Sequence, residues 1–145
     1  MPHYRLAHWF ALVGMLLALG ACGTPPSPQT GLKAEILTND FPPQSQEVMV
    51  QAVITSHWVD VDNLQVAVHL SPGIRLIKEQ VRAPLQLKAK SPHTVHFKVL
   101  LAEAGQQRIS VLATGVYSGA DFASVDTLFL LIDQAGTRSS REPST

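Results

Sequence analysis

Few side chains in this sequence can do covalent or metal chemistry, and the first of them is the single cysteine, Cys22. A lone thiol can be a buried apolar group, a reactive nucleophile, or the acceptor of a lipid. The histidines are His3, His8, His57, His69, His93 and His96. His93 and His96 are three apart, which on a helix would align two metal ligands and on a strand puts them on opposite faces. His69 falls on the solvent parity of its segment. Asp60 and Asp62 flank Val61 and precede Asn63, so two carboxylates share one side of an extended segment. Calcium needs six to eight oxygens, so Asp40 or Asp121 would have to converge on that place. Turn-forming Asp and Asn beside a strand is the simpler reading. Gly115-Val116-Tyr117-Ser118-Gly119 lacks the Gly-x-Ser-x-Gly spacing of a nucleophile elbow, and there is no phosphate loop and no His-Glu-x-x-His. These patterns predict no catalytic residue, no metal ligand set and no cofactor.

What surrounds Cys22 decides among the readings of its thiol. Residues 1–8 carry Arg5, supported by His3 and His8, and Trp9 to Leu19 is an uncharged apolar run of 11 residues. That run suits the core of an export signal and is short of the roughly 20 residues a spanning helix needs. It closes on Leu19-Gly20-Ala21-Cys22, which resembles the bacterial lipobox: a leucine, two small residues, then the cysteine. The small residues let a peptidase fit the extended backbone beside the modified thiol. The resemblance implies a signal peptide over 1–21, cleavage before Cys22, and a diacylglyceryl thioether on its sulfur. It also implies an exported protein, lipid-anchored in the cell envelope. Gly23 follows where an Asp would resemble an inner-membrane retention signal, which points to the outer membrane if the source has two. The lipidated Cys and a Pro-rich linker then fill 22–31; in polyproline II geometry, residues 24–30 would lift the domain roughly 20 Å off the bilayer.

Removal of the leader leaves 124 residues of the 145, room for one modest core. It also removes Arg5, leaving 10 basic residues against 11 acidic ones. No field of one sign exists to attract nucleic acid. With no second cysteine there is no internal disulfide, so packing alone must hold the fold.

The elements that must carry any site are strands. Val48, Val50, Ala52 and Ile54 alternate with Met49, Gln51, Val53 and Thr55. The same period of two recurs over Leu64–Leu70, Val95–Leu101 and Ile109–Ala113. Breakers fall between them at 39–43, Ser71-Pro72-Gly73, Ser91-Pro92, Ala104-Gly105 and Ser118-Gly119. With Leu32–Leu37, Ile74–Val81, Leu85–Leu87 and Val125–Ile132, seven or eight strands are predicted, and no helix beyond the leader. The expectation is a single antiparallel β-sandwich of immunoglobulin-like type over 32–133, followed by a flexible tail, 134–145.

The run Val48–Gly73 resembles immunoglobulin-like modules of bacterial surfaces, including CARDB-like and fibronectin-type-III-like domains. The likeness is carried by Asn63-Leu64-Gln65-Val66-Ala67-Val68-His69-Leu70 and the Pro72-Gly73 turn, and by Ala104-Gly105 ahead of Ile109, Ser110 and Val111. The chain departs from the pattern at Ser56-His57-Trp58, and at Gln106-Gln107, where an aromatic often stands. The absence of a Cys…Trp…Cys signature excludes antibody-type domains.

Two features suggest contacts with other molecules. Trp58, Tyr117 and Phe122 lie near strand ends, so the Trp58–Asn63 loop end is a candidate for glycan or calcium; Phe97 and Phe129 are expected in the core. The last strand is apolar on both faces, with Thr127, Phe129 and Leu131 on one side and Leu128, Leu130 and Ile132 on the other. Either its own domain covers it, for example through Leu32–Leu37, or a partner strand or second copy does. The expectation is therefore a non-enzymatic, membrane-tethered module that contacts an envelope protein or itself through Trp58, Leu128, Leu130 or Ile132. The alternatives are a ligand-binding module, or a non-catalytic accessory subunit of an envelope enzyme complex.

Overall fold

The computed structural model describes residues 30–37, 40–80 and 85–143. The leader, its lipobox (Leu19, Gly20, Ala21) and Cys22 lie outside the described residues. Nine strands follow in order: β1 (Leu32–Ile36), β2 (Glu47–Ser56), β3 (Val61–Leu70), β4 (Ile74–Gln80), β5 (Leu85–Leu87), β6 (His93–Leu101), β7 (Gly105–Tyr117), β8 (Ala120–Ile132) and β9 (Thr137–Ser140). They form two antiparallel sheets, β1-β2-β6-β4 and β5-β3-β7-β8-β9. The chain is thus an all-β sandwich. Removing the short edge strands β5 and β9 leaves the four-on-three strand order of the immunoglobulin fold.

The alternation read in the sequence is the alternation of burial. Val50, Ala52 and Ile54 of β2, Val95, Phe97, Val99 and Leu101 of β6, and Ile109, Val111 and Ala113 of β7 are all buried between the sheets. Each intervening residue points to the outer face of its sheet, as a pleat requires. Phe41, in the connection from β1 to β2, closes the core at one end.

Four expectations need correction. Leu128, Leu130 and Ile132 are buried at 0–2% exposure, so they present no free apolar edge. Their side faces the core and is covered by the domain itself, with β1 lying against β8 across the sandwich. Phe129 is the reverse case: its parity puts it on the outer face, half-buried, opposite Arg108. The loose tail is in part a strand, because Thr137–Ser140 pairs with Phe129–Ile132. Ladder hydrogen bonds join backbones, so polar side chains do not prevent pairing at an edge. Finally the sandwich begins before residue 32: Thr30 is 2% exposed.

Two backbone irregularities shape one end of the sandwich. Tyr117 pairs with Ala120 across Ser118 (φ 51°) and Gly119 (φ 77°), a two-residue turn with both φ positive that suits the twist of the flanking strands. A bulge at Asp62-Asn63, with Asn63 at φ 50°, shifts the register where β3 meets β7.

Candidate functional site

One end of the sandwich gathers the β2–β3 loop, the turn before β6, the β7–β8 hairpin and the point where the chain enters the fold. Ser56 ends β2 with its hydroxyl buried, within hydrogen-bonding reach of the carbonyl oxygens of Thr30 and Val59. The His57 and Trp58 amides donate to the carbonyls of Gly31 and Thr30, each at 3.2 Å. Gly31 has φ 63°, and a Cβ there would stand 2.5 Å from the Cβ of His57 and 3.0 Å from Cε3 of Trp58. Glycine is needed on both counts: a left-handed backbone and a close approach. The incoming chain is thereby tied to the Trp58 loop. Trp58 itself is 61% exposed, with the His57 ring edge-on at 5.4 Å. Tyr117 is exposed at the same end, 6.4 Å from the Phe122 ring.

The acidic residues of this loop are engaged. Asp60 accepts from the Ala89 amide at 2.8 Å and from Lys88 Nζ at 3.3 Å. The Ala89 amide first, and Lys88 second, hold the Asp60 carboxyl below its ordinary value. Asp62 Oδ1 accepts from Gln86 Nε2 at 2.8 Å. Both carboxylates therefore pin β5 and the turn after it to β3. Asp121 lies just past the hairpin, while Asp40 belongs to the opposite end, after β1. Among the described residues no group of three or more His, Cys, Asp and Glu is placed to hold a metal ion. His93 and His96 pair with Ile54 and Gln51 of β2, and His69 sits on the other sheet.

The second surface is the outer face of the five-stranded sheet. Register puts Gln65, Thr114 and Ala123 in one row, Ala67, Leu112 and Val125 in the next, and His69, Ser110 and Thr127 in a third. None of the nine is Asp, Glu, Lys or Arg. Val125, at the centre, is 62% exposed, and Ser110 and Thr127 join hydroxyls at 2.9 Å. At the hairpin end of this face a shallow depression of about 560 Å³ is lined by Asn63, Gln65, Thr114, Val116, Asp121 and Phe122, among others. At the other end a depression of about 340 Å³ is lined by Ser71, Arg108, Phe129 and Pro143, among others.

Sequence reasoning missed a polar clamp on the edge of β1. The Ala34 amide donates to Ser124 Oγ at 3.0 Å and the Ile36 amide to Asp126 Oδ2 at 2.6 Å. Arg141 then contacts both Asp126 and the Ile36 carbonyl. Groups that would otherwise offer an open strand edge are satisfied from the opposite sheet. The signal was present: Ser124 and Asp126 share the core parity of Leu128, Leu130 and Ile132, and polar residues on that parity need partners.

No family model matches the sequence, and no curated protein matches it. Among solved structures, the chain is similar to the GAE domain of GGA2p from Saccharomyces cerevisiae, at 9% identity and TM-score 0.48, over 74% of this chain and 94% of that one. It is also similar to a family 123 glycoside hydrolase from Clostridium perfringens, at 14% identity and TM-score 0.45. That match covers 71% of this chain and 28% of the hydrolase. The immunoglobulin-like assignment rests on the strand order of the chain's own two sheets.

Proposed function

We propose that this chain is an exported lipoprotein, anchored in the cell envelope through Cys22, whose sandwich binds or supports another protein. The observation that carries the binding reading is the uncharged outer face centred on Ala67, Leu112 and Val125, with Val125 mostly exposed. A central patch without charge and a rim bearing Arg108, Asp121 and Arg138 matches the composition of a protein contact. Support for the anchor comes from the Leu19-Gly20-Ala21-Cys22 motif and the apolar run before it. Two or three acyl chains, at about 0.8 kcal/mol per buried methylene, suffice for stable attachment. Gly23 favours the outer membrane of a two-membrane cell. On this reading the sandwich is a non-catalytic module of the CARDB-like or fibronectin-type-III-like kind, either as a partner-binding protein or as an accessory subunit.

The test is photo-crosslinking in cells from a reactive side chain placed at Val125, with one at Gln51 on the opposite sheet as control. Capture of a protein neighbour, or of a second copy, from position 125 alone is the expected result. No adduct from either position would sink the interaction reading. For the anchor, labelled palmitate is expected to enter the wild type and not Cys22→Ala. A glycan reading retains one supporting observation, the exposure of Trp58; a calcium reading loses ground because Asp60 and Asp62 are already paired.

A further inference from the structure

We infer that the end of the sandwich bearing Trp58 rests on the lipid surface, with the Trp58 indole and the Tyr117 ring seated among the headgroups. The inference rests on the lipid anchor proposed above and adds an orientation to it. Where the chain enters the fold is the first argument. Thr30 and Gly31 are hydrogen-bonded to the His57-Trp58 backbone, and the Trp58 ring edge lies against Gly31. Whatever holds Cys22 therefore holds this end nearest.

Reach is the second argument. Cys22 stands eight residues before Thr30. At no more than about 3.6 Å per residue, the Cα of Thr30 stays within about 29 Å of the Cα of Cys22. On this inference the linker does not stand upright as a spacer, and a contact too weak to form from solution becomes populated because a short tether supplies millimolar effective concentration. The chemistry of this end suits a lipid surface. Indole and phenol rings join an apolar body to a polar tip, which suits the headgroup layer. The nearby charges are mixed: Lys33, Lys88 and Lys90 against Asp60, Asp62 and Asp121, with Lys88 already on Asp60. The rings, rather than a net charge, would make the contact.

This placement leaves the outer face of the five-stranded sheet roughly upright on the membrane and open to a neighbour. It also removes Trp58 from the list of residues free to stack on a soluble sugar.

The experiment uses the full chain expressed in a bacterial host, extracted from membranes and reconstituted into vesicles of equal phosphatidylethanolamine and phosphatidylglycerol. Intact mass first reports whether the leader is gone and Cys22 acylated. With the leader removed, Trp58 is the only tryptophan, because the other is Trp9. Vesicles carrying brominated acyl chains are expected to blue-shift its emission and quench most of it. The double variant Trp58→Phe with Ala135→Trp, which moves the reporter to the exposed turn at the far end, is expected to stay unquenched. Acylated protein whose Trp58 remains unquenched and open to aqueous iodide overturns the orientation while leaving the anchor intact. Equal quenching at both ends likewise overturns it, since the molecule would then lie without preference. Unacylated protein overturns both readings together.

Discussion

The two outer faces of this sandwich are built on the same alternation and differ in charge, although the four-stranded sheet also bears the exposed apolar side chains Met49, Leu76 and Ile77. On the four-stranded sheet the outward residues include Lys33, Glu35, Glu47, Lys78 and Lys98, with ion pairs Lys33–Glu35 at 3.0 Å and Lys98–Glu47 at 3.4 Å. On the five-stranded sheet the central outward positions are Ala67, Leu112, Ala123, Val125, Ser110 and Thr127. Neither difference is needed for folding, since the core is supplied by the inward parity of both sheets. Exposed ion pairs of this kind contribute little stability, and the nine central positions of the uncharged face hold none. A surface left in that condition is informative because most of the chain's outward positions are polar.

The parity of β8 separates the two faces and is the most costly feature to disturb. Leu128→Ala, inward, is expected to cost about 2–5 kcal/mol in denaturant unfolding, while Val125→Ala three residues earlier costs little. Similar costs at both positions would remove the distinction between the faces of β8. Next in size, Asp126→Ala leaves the Ile36 amide without its acceptor and Arg141 with the Ile36 carbonyl alone. A loss of about 1–3 kcal/mol is expected, with faster hydrogen exchange at Ile36 than at Val53, which stays paired to Glu35 in the ladder. Gly31→Ala forces a left-handed backbone and a close contact with His57, and about 1–3 kcal/mol should be lost in thermal unfolding. Val125→Lys should change stability by less than about 0.5 kcal/mol yet abolish cross-linking from a reactive side chain placed at Leu112 in the same row. Retained cross-linking would show that the face is not the contact.

The smallest effect concerns Asp60. Its carboxyl is held below the ordinary value by the Ala89 amide and Lys88, so the folded state favours the ionised form. The stabilisation is present above the unfolded value near 4 and is lost as pH falls through the lowered folded value. Asp60→Asn should therefore match the wild type at the acid end and fall slightly below it at neutral pH. Urea midpoints across that window would check the sign.

Much of the fold was legible because period two reports burial directly. β2 and β6 were read to within a residue or two, whereas β7 was read only as Ile109–Ala113 of a strand that runs Gly105–Tyr117; the inward residues of all three are the buried ones. Phe129 was misread because its type suggests a core residue, whereas its parity, shared with Thr127 and Leu131, was the better guide. β9 was missed because Thr137-Arg138-Ser139-Ser140 has no apolar alternation; its pairing rests on the exposed backbone of Phe129–Ile132. The clamp of Ser124, Asp126 and Arg141 on β1 joins residues about 90 to 105 positions apart, and no local pattern encodes such a distance.

By itself the sequence determined which residues of a strand share a face, where the turns fall, and that one cysteine closes a lipobox-like motif. These follow from alternation, breakers and residue type, which are local. Only the tertiary structure decided which strands are neighbours, and hence that Ala67, Leu112 and Val125 form one row. It alone put Trp58 against the chain entry at Gly31 and turned Leu128, Leu130 and Ile132 into core. Period two assigns each residue to one of two faces, but which face is covered depends on the other sheet, and that is set by packing across the whole chain.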